Sequence, residues 1–191
     1  MKRILALTLS AVMLLALLCA CGGGTENNNK NVDLAAFYQG LTEKYAVCET
    51  PEQAYPDDMV NDDSYFEPGT EMEQRQQWLK EQRDFLQQAA MGNYPGLSDI
   101  SAEQCLVYAP MFSLSAAESV LIQVSNSSDV DKVKNILQAR IDAQVDGGAF
   151  YPMAVEAWQN NARIVSNGNY IMLVVSDDCD AVVSEFNNLF K

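Results

Sequence analysis

Ala162-Arg-Ile-Val-Ser166, Asn167-Gly168 and Tyr170-Ile-Met-Leu-Val-Val175 read in succession as a strand, a tight turn and a second strand. β-Branched and aromatic residues fill both runs, a composition that fits a pleated surface. Asn-Gly is the preferred pair for a two-residue type I′ turn, because both of its positions need a positive φ. A hairpin this clear points away from an all-helical chain.

Working outward, a short helix precedes the hairpin, beginning near Tyr151-Pro152 and carrying Met153, Val155, Ala157 and Trp158. Before it, Ser127 or Ser128 starts a helix with Val130, Val133, Leu137 and Ile141 inward, ended by Gly147-Gly148. Earlier still, Leu106 and Tyr108 alternate, as do Val120, Ile122 and Val124, which predicts two more strands. After the hairpin a final helix starts near Asp177 or Asp178 and presents Val182, Val183, Phe186, Leu189 and Phe190. The order over 97–191 is β-β-α-α-β-β-α. It predicts a two-layer α+β domain, a twisted antiparallel sheet of about four strands with helices packed on one face.

Residues 33–96 read as a helical N-terminal part. Leu34, Phe37, Tyr38, Leu41 and Tyr45 form one apolar stripe, predicting a helix over Val32 to Val47 with Asp33 at its start. Residues 48–69 hold three prolines and many acids without periodicity, and predict a long acidic loop. Thr70 and Glu73 then form a capping box for a helix running to about Met91. Trp78, Leu79, Phe85, Leu86, Ala89 and Ala90 are expected on its inner side.

The chain opens differently. Met1, Lys2 and Arg3 precede an apolar run from Ile4 to Leu18, too short for the ~20 residues of a membrane span. This is the pattern of a secretory signal. Leu18-Cys19-Ala20-Cys21 follows and resembles the lipobox of bacterial lipoprotein precursors, with small residues before the cut and a thiol to receive the lipid. Residues 1–21 are therefore expected to be a lipoprotein signal peptide and Cys21 the lipidation site. A covalent diacylglyceryl lipid on Cys21 brings two acyl chains, enough for stable anchoring at ~0.8 kcal/mol per buried CH₂. Residues 22–32 read as a flexible tether with a reach of roughly 15–20 Å. The expected location is the outer face of the cell membrane.

Removing residues 1–21 takes two basic and no acidic residues, leaving 10 Lys+Arg against 26 Asp+Glu, a net charge of −16. That balance argues against a nucleic-acid partner and against charge-driven docking on anionic lipid. Histidine is absent, which removes Ser-His and Cys-His catalysis and most zinc chemistry. Only Cys48, Cys105 and Cys179 remain beyond the anchor. One bridge is feasible, best between Cys48 and Cys105, although such residues are usually small buried hydrophobes.

Four further groups invite a chemical reading. Asp177-Asp178-Cys179-Asp180 suggests a metal site, with helix capping preferred. Asp57-Asp58 with Asn61-Asp62-Asp63 suggests calcium, but lacks the spacing of a calcium loop and reads as solvated chain. Ser128 and Lys132 stand at i, i+4, with Ser128 preferred as a cap. Tyr55, Tyr65, Phe66 and Tyr94 flank the acidic loop and either anchor it or line a sugar or peptide surface. No catalytic, cofactor-binding or metal residue is assigned from the sequence.

Tyr108-Ala-Pro-Met-Phe-Ser-Leu-Ser-Ala-Ala-Glu-Ser-Val120, Asp129-Val-Asp-Lys-Val-Lys134 and Asn167-Gly-Asn-Tyr-Ile-Met-Leu-Val-Val-Ser-Asp-Asp178 resemble a family of small lipoproteins from anaerobic Gram-positive bacteria. That family carries a C-terminal domain of unknown function. The resemblance covers about Leu97 to Lys191. Residues 49–69 and the helix after them look like an insertion against its pattern. It implies lipid anchoring and implies no activity, substrate or cofactor. The expected function is a non-enzymatic binding or interaction module of the cell envelope, with an envelope or extracellular partner. The alternative is a lipid-anchored enzyme using carboxylates, for example a glycan hydrolase with two acids across a cleft.

Overall fold

The computed structural model describes residues 31–111 and 115–191. Four strands form one antiparallel sheet: β1 (Ala102–Tyr108), β2 (Glu118–Val124), β3 (Ala162–Asn167) and β4 (Tyr170–Val175), in the order β1-β2-β4-β3. The α+β class and the four-stranded antiparallel sheet agree with the sequence reading. The two central strands are the most apolar. All six residues of β4 are buried, and so are six of the seven in β2.

The hairpin turn differs from expectation by one residue. Asn167 pairs with Tyr170 and belongs to the ladder, so the two turn residues are Gly168 and Asn169. Gly168 has φ +54°, and no non-glycine residue described has a positive φ. A type I′ turn needs two such residues. One, at the first turn position, is the type II′ pattern, and it puts the glycine where glycine is required.

Helices pack against the sheet as expected, and they cover its second face too. On the first face Val120, Ile122 and Val124 lie with Ile171, Leu173 and Val175 beneath Val133, Leu137 and Trp158. The helices concerned are α3 (Met72–Gly92), α4 (Val130–Ala143) and α5 (Pro152–Asn160). On the second face Leu121, Met172 and Val174 meet Leu34, Tyr38, Leu41, Val182 and Phe186. These last come from α1 (Leu34–Thr42) and α6 (Cys179–Asn188). The reason is visible in β4, whose residues are apolar without alternation and demand cover on both sides.

Local chemistry sets the helix ends. Asp33 accepts from the Ala36 amide at 3.0 Å and caps α1. The helix stops at Thr42, short of Val47, because the chain turns toward the sheet. There the Ala46 carbonyl accepts from Ser176 Oγ at 2.8 Å. Residues 48–69 are not the structureless loop expected. Thr50 and Gln53 exchange bonds in a capping box that starts the short helix α2 (Pro51–Ala54), and 3₁₀ turns follow at Asp57–Asn61 and Asp63–Tyr65. The start of α3 lies one residue beyond the expected box: Glu71 donates its N–H to Gln74 Oε1 at 3.2 Å, while Thr70 Oγ1 donates back to Glu67.

Val32, placed by the sequence at the end of the tether, is buried. Its N–H donates to Tyr170 Oη at 3.3 Å, and its carbonyl accepts from Gln104 Nε2 at 2.8 Å. The chain thus enters at the end of the sheet formed by the start of β1 and the start of β4. Among the described residues no helix is long and apolar enough to cross a membrane.

Candidate functional site

At the opposite end of the sheet, where β1 finishes and β2 begins, the structure opens a groove. Its volume is about 760 Å³, within the range of pockets that bind compact organic groups. Cys48, Tyr55, Met59, Tyr65, Leu86 and Met111 are among its lining residues, and Glu49 is the one carboxylate among the described residues that line it. The segment carrying Cys48 to Tyr65 passes over this end of the sheet. Aromatic packing holds it there: the Trp78 ring on α3 lies 6.0 Å from Tyr55, 6.1 Å from Tyr65 and 5.3 Å from Phe66. Arginines clamp the same segment, Arg83 on Asp57 and the Tyr55 carbonyl, Arg75 on Asp63 and the Val60 carbonyl.

Tyr55, Tyr65 and Phe66 therefore do anchor the acidic segment, and two of them also line the groove. Tyr94 does not join them. It is buried in a polar cluster on the first face. There Glu118 accepts from Tyr94 Oη at 2.5 Å and receives Arg140 bidentately, Nε at 3.0 Å and Nη2 at 2.9 Å. The Arg140 guanidinium also lies 5.5 Å from the Trp158 ring centre. Burial, then the Glu118 charge, push the Tyr94 phenol well above its usual range. Burial works to lower the Arg140 value, but the bond to Glu118 and its charge prevail and raise it.

A cavity of about 200 Å³ reaches this cluster, with Trp158, Gln144 and Met111 in its wall. Both oxygens of Glu118 are engaged and the residue is 2% exposed. It ties β2, α4 and the end of α3 together and is not presented as an acid or base to a ligand. Sequence reasoning missed this cluster. A signal was present: Arg140 stands at i+7 from Val133 and i+3 from Leu137, on the inward stripe of α4.

The other sequence candidates fall elsewhere. Cys21, and residues 22–30 of the tether, lie outside the described residues. Asp177, Asp178 and Asp180 do not converge, and the expected capping of α6 by a carboxylate is not found. Asp177 accepts from Asn161 Nδ2 at 2.7 Å, Asp178 from the Ala46 amide at 3.0 Å, and Asp180 from Arg163 Nε at 2.9 Å. Each carboxylate has been recruited to hold a neighbouring segment.

In the 57–63 cluster, Asp57 and Asp63 face arginines rather than each other. Among the described residues no group of three metal-ligating side chains converges. Ser128 lies in a 3₁₀ turn ahead of α4 and makes no capping bond; it and Lys132 are exposed. Cys48, Cys105 and Cys179 are free thiols. Cys105 packs on the first face and Cys48 lines the groove.

The family described as "Domain of unknown function (DUF4358)" matches residues 76–176. The match begins inside α3 and ends just before α6. The part of α3 from Gln76 onward, set apart by the sequence reading as an insertion, is thus family sequence. Neither a curated protein nor a solved structure matches the chain.

Proposed function

Because the chain belongs to this family of unknown function, whose description names no chemistry, we propose on physical grounds that it is a lipid-anchored, non-enzymatic binding module of the cell envelope. The anchor is the covalent diacylglyceryl lipid on Cys21, added after export by the signal of residues 1–21, and the domain is held on the outer face of the membrane. The resemblance to small lipoproteins supports this reading, as does the string Leu18-Cys19-Ala20-Cys21.

One observation carries the binding half of the proposal. The groove is open and largely apolar, and holds one carboxylate, Glu49. A hydrolase working through two carboxylates needs a pair facing each other across its cleft. Glu49 has no such partner in the lining, and Glu118 is locked to Arg140 and Tyr94. The groove therefore suits holding a ligand better than cleaving one.

Growth of an expressing bacterium on an alkyne analogue of palmitate tests the anchor. The wild-type chain is expected to take up label and partition with membranes. Cys21→Ser is expected to lose both properties and leave the chain unlabelled in the soluble or precursor fraction. Label retained on Cys21→Ser would overturn the assignment.

A further inference from the structure

We propose that the groove at the far end of the sheet docks a basic, amphipathic segment of a partner protein, with its apolar side chains in the groove and its Lys or Arg residues on the rim. This rests on the binding-module reading and names the partner's chemistry.

Two independent features of the groove point there. The first is its lining. Tyr65 is 52% exposed and Met111 49% exposed, large apolar surfaces left in water at the mouth of a mostly apolar pocket. The second is charge. From Glu49 to Glu73 the chain carries nine acidic residues and no Lys or Arg. Among the described residues, only Asp57 and Asp63 within that stretch have cationic partners, both supplied by α3. Glu49, Glu52, Asp58 and Glu67 are exposed and form no ion pair among the described residues. An apolar groove whose lining includes Glu49, on a segment rich in acids and without a basic residue, complements a partner segment that is apolar on one side and cationic on the other.

The same features disfavour the other occupants. A second copy of this chain would bring its own −16 charge and its own acidic segment against the first. An anionic membrane would be repelled likewise.

The test uses the mature chain with Cys21→Ser, kept in solution, and three fluorescent peptides of about a dozen residues: Lys/Leu, Glu/Leu and Ser/Leu amphipaths. Anisotropy is expected to show binding of the Lys/Leu peptide alone, weakened by about tenfold or more on raising salt from 0.05 to 0.5 M. Tyr65→Ser and Glu49→Lys both alter exposed side chains, so folding is retained and is checked by the thermal transition. Each is expected to weaken binding about tenfold.

Equal binding of the Glu/Leu peptide would overturn the charge argument. Lys/Leu binding untouched by both substitutions would remove the groove while leaving a binding module. No binding by any peptide would remove the partner class. None of these outcomes bears on palmitate labelling of Cys21, so failure here and failure of the anchor are read separately. Anionic vesicles serve as a fourth probe, and their capture by the Cys21→Ser chain but not by the same chain with Tyr65→Ser added would replace the peptide with lipid.

Discussion

The two faces of the sheet are built from different materials. The first is mainly aliphatic, with Val120, Ile122, Val124, Ile171, Leu173 and Val175 under α4 and α5, and its two buried rings, Tyr94 and Trp158, flank the ion pair of Glu118 with Arg140. The second is aromatic. Tyr38 stacks on Tyr108 at 4.4 Å, Phe186 meets Phe37 at 6.3 Å and Phe190 at 5.3 Å, and Phe190 meets Tyr170 at 5.1 Å. The difference follows the family boundary. Residues 76–176 contain the sheet, most of α3, and all of α4 and α5, hence nearly all of the first face. The helices covering the second face, α1 and α6, both lie outside that match.

The largest effect is expected from breaking the second face. Phe186 is fully buried at its centre. Phe186→Ala removes the ring that joins α1 and α6 and is expected to cost roughly 3–5 kcal/mol in urea unfolding. A thiol reagent sharpens the comparison. Cys179 sits on α6 and Cys105 on β1, so the substitution should speed labelling of Cys179 much more than that of Cys105. Equal acceleration would mean that the faces open together.

A somewhat smaller effect is expected on the first face. Arg140→Met leaves Glu118 buried and unpaired, at about 3 kcal/mol, near the lower end of such losses because Arg140 keeps 17% of its side-chain exposure. Adding Glu118→Gln to it removes the stranded charge and should restore much of the loss. If the double variant is no more stable than Arg140→Met, the pair is not what holds β2 to α4.

The smallest effect is alkaline. Burial pushes the Cys105 thiol on the first face up to about 11. Burial first, then Glu118 and Glu49, push Cys48 up to about 12. A raised thiol stays protonated in the folded chain after the unfolded chain has ionised. Its stabilising contribution is thus complete below about pH 9 and declines toward the folded values. By pH 10 the expected loss is about 1 kcal/mol per thiol, and Cys105→Ala and Cys48→Ala should each remove their share of the slope.

The sheet was legible because its strands carry their own evidence. Val120, Ile122 and Val124 alternate, and the hairpin has its turn residues within it. The second face was legible too, in principle. Tyr170 to Val175 has no polar residue, which a strand covered on one side only does not need. The turn was misplaced because Asn167-Gly168 and Gly168-Asn169 are both acceptable pairs, and only ladder pairing chooses between them.

The groove was not legible, since it gathers Cys48, Tyr55, Leu86 and Met111 from segments that no local pattern connects. Nor was the reuse of Asp178. Its position at a helix start predicts a cap, and only the folded chain shows the Ala46 amide that claims it.

Tyr170 touches both ends of the described span 31–191. Its hydroxyl meets the Val32 amide, and its ring packs on Phe190, next to the last residue. The fold is therefore nearly a closed loop. A short linker from Lys191 back to Asn31, with new ends cut at Gly168-Asn169, would give a circular permutant with the same layers in a different chain order. A label placed on Lys191 would report on the entry end of the sheet, and one placed at Tyr65 on the groove, so a single molecule offers a ruler between its two poles.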